Sequence, residues 1–286
     1  MPNLNISMVA FHGTPKPASL QLLLTDLYDQ LAGALGSSCT SVFEPYGPEQ
    51  IHATLIGMEA NVDNYQFFSY WFSRNRSGEK RLLHVAHLRE IVERATCRAP
   101  MFTIRFGGFR KAHCTCVAKS AEGWNCATSG AEFHSCDRSA YDGSFYGFSH
   151  GPVLLTGWPV QSSTELEVFP HLLYNFRLAA EQAGFLDKYH SEDRPHWMDD
   201  DCYLKLGFFR KEITEDQLIN VEEAVREYLR NRGPVTVDLR VEDVSIVLYK
   251  DPSLKKKDVI DKVSLADFIS DHRKVELLYD RLLRMK

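Results

Sequence analysis

The chain has 286 residues, 44% of them hydrophobic and 25% charged, the composition of an ordinary globular protein long enough to bury a substantial core. Its formal net charge of −5 excludes a global basic field for long duplex nucleic acid, so any nucleotide contact must come from a local site. No uninterrupted apolar run approaches a membrane span, Met1-Pro2-Asn3-Leu4-Asn5 lacks a secretory start, and seven cysteines, an odd number, read as reduced thiols of a cytoplasmic protein.

Residues Ile6 to Phe11 read as a short strand, stopped by His12-Gly13-Thr14-Pro15-Lys16-Pro17. Leu20, Leu23, Leu24, Leu27, Leu31 and Leu35 recur at spacings of three and four, which predicts an amphipathic helix from Ser19, its N-cap, to Gly36, its C-cap. A second strand follows the turn Glu44-Pro45-Tyr46-Gly47-Pro48. Leu82 to Thr96 predicts a helix, and Phe102 to Phe106 a strand closed by Gly107-Gly108. Lys111 to His150 is rich in Cys, Ser, Gly and aromatics and reads as an insertion of loops and short strands. Pro152 to Gly157 returns to strand character, Phe169 to Ala183 to helix, and Asp201 to Phe209 to strand. That last strand puts Tyr203 and Lys205 on one face and Cys202, Leu204 and Leu206 on the other. Thr214-x-x-Gln217 opens a helix to Asn231 with a capping-box pattern. Val235 to Leu239 and Val244 to Tyr249 read as strands, Lys255-Lys256-Lys257 as solvated loop, and Leu265 to about Leu283 as a final helix. The order strand, helix, strand, helix and further strands occurs twice, the pattern of an internal duplication.

The strand after Pro48 carries His52-Ala53-Thr54-Leu55. Side chains at i and i+2 leave one face of a strand, so His52 and Thr54 project together while Ile51, Ala53 and Leu55 turn to a core. An imidazole moves protons near neutral pH and a hydroxyl bonds a phosphoryl oxygen, so the pair suits phosphate chemistry. The same His-x-Thr pattern stands at His12 and His113, and only His52 has the flanking alternation of a strand. The alternative for His52 is a strand histidine satisfied by a backbone carbonyl.

The run Pro48-x-x-Ile51-His52-Ala53-Thr54-Leu55 resembles the first motif of the two-histidine (2H) phosphoesterase superfamily, in its RNA 2′,3′-cyclic phosphodiesterase and 2′-5′ RNA ligase branch. Met8 to Phe11 with Pro15, Phe102 to Phe109, Val153 to Pro159, and Leu172 to Phe185 are similar to further family segments in the same order. The resemblance implies a bilobal α+β fold, with two antiparallel sheets flanking a central cleft and helices outside. Lobe one spans about residues 1–110 and lobe two about 151–250, with a C-terminal helix at about 265–283. It also implies chemistry without a metal or other cofactor, and a small nucleotide or RNA-end ligand bound by a monomer.

The second family motif, His-x-Thr-Leu or His-x-Ser-Leu, aligns with Tyr203-Leu204-Lys205-Leu206. A tyrosine with an ordinary pKa of ~10 is poorly matched to proton relay near neutrality, and Lys205 binds phosphate without moving protons. The expectation is therefore His52 and Thr54 as catalytic residues, Tyr203 and Lys205 as phosphate ligands, and slow turnover or binding alone. His196, in Arg194-Pro195-His196, or His12 supplies a second imidazole, or His196 is a surface histidine. Other groups carry two readings each. His113, Cys114, Cys116, Cys126, His134 and Cys136 are a zinc set or loop residues whose cysteines pack as small hydrophobes. Asp199-Asp200-Asp201 is a cation site or an acidic turn, and Trp124, Phe145, Tyr146, Phe148 and Trp158 stack a base or simply pack.

Overall fold

A computed structural model describes residues 5–97, 99–106, 152–162, 172–186 and 202–285, together with the strand segments 116–120, 123–126, 133–134, 145–146, 167–168 and 197–198. The fold is α+β, with two main antiparallel sheets. The front sheet orders Val259–Ser264, Val244–Tyr249, Asn5–Ala10 and Ala53–Gly57. The back sheet orders Val235–Leu239, Phe102–Phe106, Pro152–Pro159, Cys202–Phe209 and Phe43–Pro45, with Phe145–Tyr146 added beside Pro152–Pro159.

These sheets do not divide the sequence at residues 110 and 151. Phe43–Pro45 and Phe102–Phe106 pair into the back sheet, while Val244–Tyr249 and Val259–Ser264 complete the front one. One continuous core runs behind both, holding Ile6, Met8 and Ala10 with Ile104, Leu204, Leu206 and Phe209. It excludes water from enough apolar surface that the sheets need each other for burial.

Local patterns explain most elements. The Ala18–Leu35 helix buries Leu20, Leu23, Leu24, Leu27, Leu31 and Leu35, and stops at Gly36, whose φ of 56° suits glycine. Its start differs from expectation. Pro17 occupies the N-cap and Ser19 lies inside the first turn, because Pro17 is extended while its carbonyl already accepts from Gln21 at 2.9 Å. The Glu215–Arg232 helix opens with both capping-box bonds, Gln217 N–H to Thr214 Oγ1 at 3.3 Å and Thr214 N–H to Gln217 Oε1 at 3.0 Å.

The expected C-terminal helix is two helices, Leu265–Ser270 and Arg273–Met285. Asp271 breaks it with extended backbone, and its Oδ1 accepts from Arg273 N–H at 3.1 Å, capping the second piece. The Arg273–Met285 helix docks through Tyr279, whose hydroxyl donates to the Met58 carbonyl at 2.8 Å. Among the described residues, no helix is long and apolar enough to cross a membrane.

Candidate functional site

A cavity of about 390 Å³ takes residues from both main sheets, a size ordinary for small-ligand sites. Asn5, Ser7, Thr54, Gly57 and Tyr249 come from the front sheet, Leu154, Tyr203, Lys205 and Phe208 from the back sheet. Tyr46, Glu59, Trp71, Arg177 and Pro252 complete the lining. Three residues singled out by the sequence, Thr54, Tyr203 and Lys205, therefore meet around one space. His52 is not among those lining it.

The front sheet reaches this arrangement through a bulge. Asn5–Ala10 pairs Met8 with Ile56 but Val9 with Thr54, so Leu55 is the extra residue. The shift in parity puts Gly57, not Ile56, on the same face as Thr54 and Ser7, while Leu55 and Ile56 both join the core. The buried Arg177 binds the edge beside it: Nε donates to the Leu55 carbonyl at 3.0 Å and an Nη to the Thr54 carbonyl at 3.4 Å.

His52 stands just before the strand and is only 2% exposed. The turn ahead of it is held by Gln50, whose Oε1 accepts from Gly47 N–H at 3.0 Å and whose Nε2 donates to the Ser253 carbonyl at 3.1 Å. His52 Nδ1 lies 2.5 Å from the Gln50 carbonyl oxygen. A carbonyl only accepts, so Nδ1 carries the proton and Nε2 the lone pair. The alternative of a histidine satisfied by a backbone carbonyl is what the geometry shows, and the bond to Gln50 fixes the tautomer that leaves the lone pair on Nε2.

Burial first, then the Lys205 charge, lowers the His52 pKa to about 3; Lys16 and His12 push the same way and the Gln50 bond opposes them. The two sheets touch at this residue, where Lys205 N–H donates to the His52 carbonyl at 3.3 Å. Lys205 also helps hold the Asp251 carboxyl below its usual range, behind the larger effect of the hydrogen bond to Ser253.

His12 lies two residues past the first strand, with a φ of 54°, and is 1% exposed. Its ring meets Phe106 edge-on at 5.7 Å between centroids. Among the described residues neither ring nitrogen has a hydrogen-bond partner, and burial with the Lys16 charge lowers its pKa to about 3. His12 does not line the cavity. Lys16 Nζ donates to the carbonyls of Phe11 at 2.8 Å and Ile51 at 2.9 Å, and burial lowers its pKa to about 8.

His196, Asp199-Asp200-Asp201, Gly107-Gly108 and Phe148 lie outside the described residues, as do His113, Cys114 and Cys136 of the zinc set. Of Cys116, Trp124, Cys126, His134, Phe145 and Tyr146 only the strand backbone is described. Trp158 is 3% exposed and is not part of the cavity lining. Among the described residues, no group of three or more His, Cys, Asp or Glu is arranged to hold a metal ion.

Sequence reasoning missed Arg177, Lys16, Glu59 and Trp71. Arg177 left a signal: it occupies the apolar register of its helix with Leu173, Phe176 and Ala180, where a lone arginine must find buried acceptors. Lys16 sits between two prolines that hold it still. Glu59 and Trp71 left none, because only the folded chain brings them over Gly57. Comparison of the chain with protein-family models, with curated proteins and with solved structures finds no match in any of the three.

Proposed function

We propose that this cavity binds the phosphate of a nucleotide or RNA end, and that the protein is a duplicated, bilobal phosphoesterase of the two-histidine type. It acts without a metal on a 2′,3′-cyclic phosphate or related phosphodiester, slowly, as a monomer in the cytoplasm. One observation carries the reading: Thr54 and Lys205, 151 positions apart in sequence, line the same cavity with Arg177 beside them. Two cations and a hydroxyl around one hollow suit a phosphoryl group.

In this reading the Thr54 hydroxyl donates to a phosphoryl oxygen, while Lys205 and Arg177 stabilise charge that builds on the phosphorus oxygens. The Tyr203 hydroxyl adds a further donor. Turnover requires His52, which is buried and does not line the cavity, to present Nε2 to the attacking water and take its proton as one ring oxygen of the cyclic phosphate leaves. The leaving oxygen must be protonated in turn, and a neutral His52 has no proton to supply until it has taken one from water. General acid-base catalysis contributes about 10²–10⁴-fold, so an incomplete pair leaves a slow enzyme.

A second reading is capture of the nucleotide without turnover. It is favoured by the burial of His52, whose pKa near 3 makes it a weak base at neutral pH. One comparison separates the two. Purified protein is incubated with the four nucleoside 2′,3′-cyclic phosphates beside His52→Ala and Lys205→Ala. Ring opening lost in His52→Ala supports the enzyme; unaltered ligand recovered after Lys205-dependent binding supports capture. Absence of both removes the phosphate reading. Gain of hydrolysis in Tyr203→His/Lys205→Thr would mark a family site switched off. A third reading, in which Lys111 to His150 forms a protein-interaction element, concerns residues largely outside those described.

A further inference from the structure

A second cavity, of about 560 Å³, opens beside the first helix and shares no lining residue with the one around Thr54 and Lys205. Its apolar wall is made by Leu24 and Ile51, both buried, with Pro15 and Pro48. Lys16, Thr25 and Glu49 belong to the same wall.

Lys16 is only 6% exposed, and its Nζ donates to the carbonyls of Phe11 at 2.8 Å and Ile51 at 2.9 Å. An ammonium has three N–H groups, and no hydrogen bond or ion pair among the described residues uses the third. Burial lowers its pKa to about 8, against the opposing charges of Glu49 and Asp243. Loss of one proton costs the clamp nothing. The neutral amine keeps both carbonyl bonds and carries its lone pair at the third tetrahedral corner. An amine desolvated in an apolar pocket is a nucleophile at neutral pH, where an ordinary lysine is protonated.

We propose that this third corner of Lys16 Nζ opens on the second cavity and captures a small apolar aldehyde there as an imine. The lone pair attacks the carbonyl carbon, a C–N bond forms, and the carbonyl oxygen gains a proton to give a carbinolamine. The C–O bond then breaks, and the oxygen leaves as water with the two hydrogens of the amine. Solvent protonates the imine, and the Glu49 carboxylate, which already acts on the Lys16 charge, stabilises the cation. Leu24 and Ile51 cover the apolar body of the aldehyde. A protonated imine has one N–H, so one of the two carbonyls gives up its donor, and that loss keeps the capture reversible. The inference stands apart from the phosphate reading, because the two cavities have no residue in common.

The test is labelling of the purified protein at pH 7 with sub-stoichiometric butanal and sodium cyanoborohydride. The borohydride delivers hydride to the imine carbon and locks the adduct as a secondary amine, which peptide mass spectrometry counts at each lysine. A pKa of about 8 leaves roughly 200-fold more neutral amine at pH 7 than an ordinary lysine has, and lower basicity takes back part of that gain. Lys16 should therefore gain adduct at least about 10-fold faster than the exposed Lys256 and Lys257. Thr25 is exposed, so Thr25→Trp fills the cavity without disturbing the core and should abolish the excess at Lys16 alone. Unfolding in urea should abolish it too, since the fold creates the pocket. Equal labelling of the three lysines in the native protein overturns the proposal. So does an excess at Lys16 that survives urea, or one retained in Thr25→Trp whose thermal melt matches the wild type.

Discussion

Lys205 and His52 are joined twice across the junction of the sheets, by the hydrogen bond from Lys205 N–H to the His52 carbonyl at 3.3 Å and by the Lys205 charge acting on the imidazole. The first ties the two sheets at this point; the second adds to burial in keeping the ring neutral. Lys205→Met should therefore raise the His52 pKa from about 3 while leaving it below 6.5, because burial is the larger cause. Proton NMR of the ring across a pH series reads this directly. An unmoved midpoint would mean that the charge and the ring do not communicate.

His12 and His52 make stability depend on acid. Both have folded-state pKa values lowered from 6.5 to about 3, chiefly by burial. The unfolded chain binds a proton on each as pH drops below about 6.5, and the folded chain declines it until about 3. Their stabilising effect is complete above pH 6.5 and is lost as pH falls through that window. Each such depression corresponds to at most on the order of 5 kcal/mol, comparable with the whole stability of a small domain. Urea midpoints measured from pH 7 to pH 4 should decline steeply in the wild type and less so in His12→Phe. A flat profile would contradict two neutral buried imidazoles.

Lys16 clamps the backbone on which both histidines ride. Its ammonium bridges the carbonyls of Phe11 and Ile51, each the residue before a histidine. A deprotonated amine still has two N–H groups, so the clamp persists above pH 8. Lys16→Met would strip donors from two carbonyls, at a cost of roughly 1–3 kcal/mol for each buried group left unsatisfied. Denaturant unfolding checks the cost. A loss below about 0.5 kcal/mol would show that these carbonyls find other donors.

Two glycines near the site should answer alanine differently. At Gly57 the added methyl meets the movable ends of Glu59 and Trp71, so Gly57→Ala should abolish ligand binding with a stability loss of no more than about 1 kcal/mol. At Gly207 the methyl would lie 2.4 Å from the Glu44 carbonyl oxygen and 2.6 Å from the Phe43 ring. The Phe43–Pro45 strand pairs there and cannot rotate away, so Gly207→Ala should cost about 1–3 kcal/mol by overpacking. Thermal melts of the two variants side by side decide the order, and a reversed order would sink the argument.

Faces were legible in the sequence where periodicity was clean. The leucines of the first helix, the alternating strand Val235–Leu239, and the common face of Tyr203 and Lys205 follow from spacing alone. Val259–Ser264 escaped notice because none of its residues is fully buried and its apolar residues do not alternate. The break at Asp271 escaped for another reason: the apolar spacing continues across it, while the cap is a side-chain bond that periodicity does not register.

By itself the sequence determined which side of the regularly patterned elements turns inward, and that His52, Thr54, Tyr203 and Lys205 have the chemistry for a phosphate. Only the tertiary structure decided that Phe102–Phe106 joins the back sheet, that Lys205 meets His52, and that Arg177, Glu59 and Trp71 close the same cavity. The reason is physical. Burial pattern is a local property written at periods of two and 3.6 residues, whereas strand pairing and a one-residue bulge are settled by contacts between segments far apart in the chain.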